Sequence, residues 1–367
     1  QALADEILAY SLQRLKDDPP LDGPRTADDL FSEVGNTITA KGLGGHEALE
    51  VFTNVLAKAC ISTDHPRNLA FIPSAPTEYS NLFDLVVGAS SLYGGSWQEG
   101  AGAVFAENQA LRWISDLAGL PATAGGVFVQ GGTIGNLSAL VAARAHARSK
   151  YPNTSRWAIA CSAEAHSSIA SAANIMDVEL LSIEPGADRK LHGEDVAREI
   201  DALHASGTSR VFAVVATAGT TLTGAVDPLR AIAQVCKKHG IWMHVDGAYG
   251  LPAAATQSAG NLFDGIDLAD SATIDAHKWL FVPKACGILL VRDNAALLAT
   301  FGHAASYMVD VEENPVDRTL EYSRPFRSLK LWVAFRAHGA DAIRGALEEN
   351  LKLAELLADL VTGTPNL

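Results

Sequence analysis

RVFAVVATAGTTLTGAVDPLRAIAQVCKKHGIWMHVDGAYG, residues 210–250, decides the fold. It opens on an apolar run, RVFAVVA (210–216), that ends in a Thr- and Gly-rich turn. LRAIAQVCKKH then spaces its apolar residues three and four apart, as an amphipathic helix does. A second apolar run, IWMHVD (241–246), follows. Strand, helix and strand in this order make a parallel pair, and runs without polar alternation belong to strands buried on both faces. The pattern repeats outward in both directions. Further strands are predicted at GVFVQ (126–130), WAIAC (157–161), VELLSI (178–183), SATI (271–274) and CGILLV (286–291), with NLSALVAARAHAR as another amphipathic helix. The expected fold class is α/β: a mostly parallel seven-stranded sheet with helices on both faces and a helical N-terminal arm.

Composition narrows the function. Asp and Glu number 42 against 28 Lys and Arg, a formal net charge of −14. Nucleic-acid affinity comes from Lys and Arg on phosphate, so a nucleic-acid partner is not expected. No apolar run approaches the roughly 18 residues of a membrane span. The start, QALADEILAYSLQRLKDD, is acidic and amphipathic, without a signal-type basic region. Cys60, Cys161, Cys236 and Cys286 are scattered and form no CxxC pair, so neither a zinc site nor a disulfide framework is expected. The reading is a cytoplasmic protein without a metal.

The residues that carry chemistry cluster after strands, where α/β folds place ligands. Asp246 ends one predicted strand in HVDGAYG. Lys278, in DAHKWL, follows another, 32 residues on. A buried unpaired charge is costly, so each needs a partner. They can pair with each other or reach solvent. Alternatively, the amine forms a Schiff base with an aldehyde cofactor and the carboxylate keeps a pyridine nitrogen protonated. QGGTIGN (130–136) lies between a strand and a helix. Its glycines let backbone approach an anion, and the helix start offers free N–H groups. Strand-to-helix turns also carry glycines for steric reasons alone. EAHSSIASAA (164–173) supplies His166, an ordinary histidine or a ring stacked on an aromatic cofactor. ATAGTTLTGAVDPL (216–229) reads as a strand end and helix cap, or as Thr221 touching a cofactor with Asp227 bracing the network.

Together, DAHKW, HVDGAYG and AHSSI resemble the group II pyridoxal-dependent decarboxylases, the family of the aromatic-L-amino-acid, glutamate and tyrosine decarboxylases. The resemblance runs from the N-terminal arm through RPFRSLKLW (324–332). It implies fold type I, the architecture of pyridoxal-phosphate-dependent transferases, with pyridoxal 5'-phosphate on Lys278. It implies Asp246 as the pyridinium partner, His166 on one ring face and Ala248 on the other. Gly132 and Thr133 would bind phosphate, with Thr221 and His277 also at the cofactor. His65 and Ser74 would line the substrate side, and Tyr307 would be a mobile-loop acid. The implied organisation is an N-terminal dimerisation arm (1–62), a large cofactor domain (63–300), and an active-site loop with the start of a C-terminal domain (301–367). Residues 302–322 would move over the site of a homodimer. One departure concerns Asp275, where some members carry asparagine, since a carboxylate there repels phosphate.

The expected activity is decarboxylation of an L-amino acid, aromatic before acidic or diamino. The rival is a binding protein that uses GGTIGN for a phosphate ligand without catalysis. Lys278 between His277 and Trp279, in step with Asp246, has no use in the rival.

Overall fold

The computed structural model describes residues 2–38, 40–302, 312 and 314–364. The chain divides into two compact units, 1–78 and 79–367. In the first, α1 (Ala2–Lys16), α2 (Ala27–Val34) and α3 (Gly45–Val51) are short helices, and α3 runs on with altered pitch through Phe52–Leu56 and Ala57–Ala59. Pro19, Pro20 and Pro24 fall between α1 and α2, where a proline ring cannot continue a helix. Arg14 closes onto Asp64 at 2.7 Å. Residues 60–77, rich in proline, form neither helix nor strand.

The second unit opens in α4 (Glu78–Ser90), followed by α5 (Trp97–Leu117). Strand β1 (Gly125–Val129), α6 (Gly132–Lys150), β2 (Trp157–Ser162), α7 (Ser167–Ile175), β3 (Glu179–Ile183), α8 (Gly193–Ser206), β4 (Arg210–Thr217), α9 (Leu229–His239) and β5 (Trp242–Asp246) follow in alternation. Then come β6 (Ser271–Asp275), α10 (Ala276–Trp279), β7 (Gly287–Val291), α11 (Ala295–Phe301), α12 (Leu329–His338) and α13 (Ala340–Gly363). All seven predicted strands are present, within a residue or so of their expected ends. The sheet order is β1-β7-β6-β5-β4-β2-β3. Strands β3, β2, β4, β5 and β6 run parallel, and β7 is antiparallel to both β6 and β1.

The unbroken apolar runs have a direct cause. Along β4, Val214 and Ala216 pack into one core while Ala213 and Val215 pack into another. Along β7, Ile288 and Leu290 separate from Leu289 and Val291 in the same way. Alternate side chains leave a strand on opposite faces. Here α8 and α9 cover one face, and α6, α7 and α11 the other. A fully buried Leu140, Ile159 or Ile232 contributes about 1.5–3 kcal/mol each by leaving water.

This topology brings functional side chains to one edge. Thr217, Asp246 and Thr273 sit side by side at the C-terminal ends of β4, β5 and β6, with Asp275 two residues further along β6.

Candidate active site

At that edge lies a cavity of about 510 Å³, within the usual range for small-molecule sites. Gly132, Thr133, His166, Thr221, Asp246, Ala248, His277 and Lys278 all line it. The eight residues expected at a cofactor thus come together from five separate stretches of chain. His65 and Ser74 belong to the first compact unit. Tyr307 lies outside the described residues, as do the rest of 303–311 and 313. Beyond them Pro315–Arg318 forms a helical turn with Val316 and Arg318 buried.

Each wall has a local cause. Helix α6 begins at Gly132, so the N–H groups of Gly132 and Thr133 have no carbonyl beneath them in the helix, while that of Ile134 bonds the Gly131 carbonyl at 3.0 Å. Space there is tight: a Cβ on Gly132 would stand 3.1 Å from both the Ala248 methyl and Asp275 Oδ2. One on Gly287 would stand 2.5 Å from Gly131 Cα. Only glycine lets β7, the turn and Asp275 share this space. His166 caps α7, its Nδ1 accepting the Ser168 N–H at 3.2 Å.

Lys278 emerges from α10, with Nζ 3.1 Å from Asp275 Oδ2. Asp275 is buried, which pushes its carboxyl above the usual range, while Lys278 and His277 act in the opposite sense. His277 places Nδ1 3.1 Å from both the carbonyl oxygen and the amide nitrogen of Cys286. Burial lowers its imidazole pKa, with Asp275 opposing. The carboxylate that sequence reading set against a phosphate therefore stands beside two basic groups.

Asp246 is 6% exposed. Its Oδ2 accepts from Asn136 Nδ2 at 2.8 Å and its Oδ1 from the Ala248 amide at 3.1 Å. Asp227 is not on the cavity wall. It accepts the N–H groups of Leu191 and Thr217 at 2.8 and 2.7 Å, and burial raises its carboxyl to about 6. It braces the end of β4, one strand away from Asp246.

Sequence reading passed over Asn136, Gln130, Tyr249 and Lys284, which also line the cavity. Asn136 stood in the quoted turn motif, one helical turn past Gly132, and its polar side chain at a position that faces the sheet was the available signal. Tyr249 stacks on Trp279 with ring centroids 5.3 Å apart.

The walls suit a phosphorylated aromatic aldehyde. A helix start and paired glycines form an anion end, a primary amine and a carboxylate line the same space, and an imidazole stands on the wall. Asp275 Oδ1 and Thr217 Oγ1 are buried without a hydrogen-bond partner among the described residues. Such atoms on a cavity wall are satisfied by a bound polar group. Fold and site together define a fold type I, pyridoxal-phosphate-dependent class.

Comparison with known proteins narrows the class. Residues 45–366 match the pyridoxal-dependent decarboxylase conserved domain. Over 362 residues the chain is 31% identical to an aromatic-L-amino-acid decarboxylase of Bacillus atrophaeus, covering 96% of this chain and 74% of that one. It is 28% identical over 370 residues to an L-2,4-diaminobutyrate decarboxylase of Acinetobacter baumannii, covering 92% and 71%. The crystal structure of Oryza sativa TDC with PLP and tryptamine superposes with a TM-score of 0.92 at 25% identity, covering 99% of this chain and 79% of that one. The chain belongs to the pyridoxal-dependent decarboxylase family, and is an amino-acid carboxy-lyase that uses pyridoxal phosphate.

Proposed function

We propose that this enzyme converts an aromatic L-amino acid to its amine and carbon dioxide, with Lys278 as the covalent anchor of the cofactor. The supporting observation is one cavity lined by the Lys278 amine, the Asp246 carboxylate, the His166 ring and the Gly131–Thr133 turn. The bound cofactor supplies a protonated pyridine ring that withdraws the electron pair left when carbon dioxide departs. Asp246 holds the proton on the ring nitrogen, because an adjacent opposite charge favours the charged form. His166 and Ala248 would lie on the two ring faces. Gly132 and Thr133 would hold the phosphate by N–H and hydroxyl, with Thr221 and His277 also beside the cofactor. Tyr307 returns a proton to Cα, and His65 and Ser74 meet the substrate. These last three assignments rest on the family resemblance alone.

The aromatic preference is supported by the named activity of the Bacillus relative, which matches 96% of this chain. Lys284 on the cavity wall favours a second reading, an acidic substrate. A panel of aromatic, acidic and diamino L-amino acids, scored by carbon dioxide and amine release, tests both. Turnover confined to acidic substrates would reverse the preference, and no turnover on any would remove it.

We also propose a homodimer of a reducing compartment. Ile7, Leu8, Phe31 and Phe52 are exposed apolar residues of the N-terminal unit, and twofold dimers are the commonest oligomer. All four cysteines are free thiols. Light scattering of the active enzyme should give twice the chain mass, and an active monomer would refute the dimer.

A further inference from the structure

Behind the cavity runs a chain of side chains, buried up to the exposed His166 at one end, with no charge in it except Asp246. Trp242 Nε1 donates to Ser271 Oγ at 2.8 Å, and Ser271 Oγ lies 2.8 Å from His244 Nδ1. His244 Nε2 lies 2.9 Å from Asn136 Oδ1. The Asn136 amide then forks, reaching Asp246 Oδ2 at 2.8 Å and Ser168 Oγ at 3.0 Å. Ser168 Oγ lies 2.9 Å from His166 Nδ1. His244 is fully buried, and Asn136 and Ser271 are 1% exposed.

The bond directions follow from Asp246 and from the neutral state of His244. An indole N–H only donates, and an ionised carboxylate only accepts. From Asp246, the Asn136 NH₂ must face the carboxylate, so its carbonyl faces His244 and Nε2 must carry the proton. The Asp246 end therefore fixes Nε2–H, and a neutral His244 then leaves Nδ1 bare to accept the Ser271 proton, while the Ser271 oxygen accepts from Trp242. Burial holds this imidazole down to about 4, with Asp246 acting against it, so the ring is neutral near pH 7. At the fork, Ser168 accepts from Asn136 and donates to His166. The bare Nδ1 of His166 also takes the Ser168 amide, which leaves the His166 proton on Nε2.

We propose that Asn136 and His244 are positioning residues that orient Asp246 and His166 jointly, the two side chains assigned above to the cofactor ring, through one neutral relay running from Trp242. This rests on the reading of Asp246 and His166 under Proposed function. The relay aims Asp246 Oδ2 without neutralising it, so its charge remains available to a cation in the cavity. A cationic partner in place of Asn136 would cancel that charge. Loss of Asn136 frees Asp246 and His166 together, although they stand on different elements 80 residues apart in sequence.

The test has two arms. In the first, cofactor-free protein labelled with ¹⁵N at histidine is examined by long-range ¹H–¹⁵N correlation at neutral pH. His244 and His166 should both show Nε2–H with bare Nδ1, and Asn136→Ala should move the ring resonances of both. His244 as the Nδ1–H form or as a cation, or a His166 unmoved by Asn136→Ala, would overturn the relay. In the second arm, enzyme reconstituted with pyridoxal phosphate is assayed. Asn136→Ala should lower kcat by up to about 10²-fold, the scale for a misplaced reacting group, with KM within about twofold. His244→Gln, whose amide can still donate to Asn136, should recover most of the loss seen in His244→Leu. Equal kcat in all four proteins, or equal losses in Gln and Leu, would overturn it. The first arm needs no cofactor, so its failure is distinct from failure of the ring assignments, which Lys278 and Asp246 variants report.

Discussion

Two buried carboxylates show opposite arrangements. Glu107, on α5, meets Arg324 Nη2 at 2.8 and 3.0 Å, and both side chains are within 2% of full burial. Arg324 also donates to the carbonyls of Gly94 and Phe128 at 2.6 and 2.8 Å, and the Phe128 N–H returns to Glu107 Oε1 at 3.2 Å. That charge is matched inside the chain and joins α5, β1 and the segment before α12. The hydrogen bonds that Asp246 accepts come instead from a neutral amide side chain and a backbone N–H. A buried charge held only by neutral dipoles remains unmatched until a cation arrives. The first arrangement stabilises the fold, and the second, on the proposed reading of Asp246, keeps a charge for the cofactor.

Variants can break this contrast. Lys278→Ala should abolish decarboxylation and the visible absorbance of the loaded enzyme. A variant that keeps both would displace Lys278 from its assignment. Arg324→Met strands Glu107 as a buried charge, which costs about 3–5 kcal/mol. Urea unfolding should show this, and the double variant Glu107→Gln, Arg324→Met should recover much of it. If the single variant is as stable as the parent, the pair is not structural.

Asp246→Asn keeps the shape and removes the charge. Turnover should fall on the order of 10²-fold or more, the scale for losing one preorganised electrostatic group, with little change in stability. The reverse pattern, normal turnover and a less stable fold, would make Asp246 resemble Glu107.

His244 links stability to pH. Its folded pKa of about 4 lies below the ordinary 6.5, so the unfolded chain takes up the proton first as pH falls. Its contribution is complete above about pH 6.5 and is lost progressively toward 4. Asp227 runs the other way. Raised to about 6 from 3.8, it favours the fold at low pH, and that contribution fades as pH rises through 6. Comparing wild type with His244→Gln cancels Asp227. The advantage of wild type should shrink by up to about 3 kcal/mol between neutral pH and about pH 4 in urea unfolding, and a constant difference would mean that the ring is not held neutral. Trp242→Phe, smallest of all, removes one hydrogen bond and should cost about 1 kcal/mol, with His244 keeping its Nε2–H tautomer in the NMR arm.

The strands were legible because burial on both faces leaves an apolar run that needs no knowledge of the partner. The N-terminal helices were legible from their spacing and from the prolines between them. Lys278 and Asp246 stood out because a charge at the end of an apolar run demands a reason. Asn136 did not, since an asparagine four residues into a helix is ordinary on a surface and telling only when buried. Asp227 was read as part of the ring-side network, yet its oxygens turn to Leu191 and Thr217, a direction that spacing does not encode.

Local pattern alone therefore determined the seven strands and the alternation with helices, because period and burial are written in consecutive residues, and it singled out Lys278 and Asp246 as charges that need a partner. Only the tertiary structure decided which residues share a cavity, and that Asp246 is aimed by neutral groups from α6 and β5. Those facts depend on contacts between residues as much as 110 positions apart, and chain folding, rather than local sequence, sets the distance and direction of each bond.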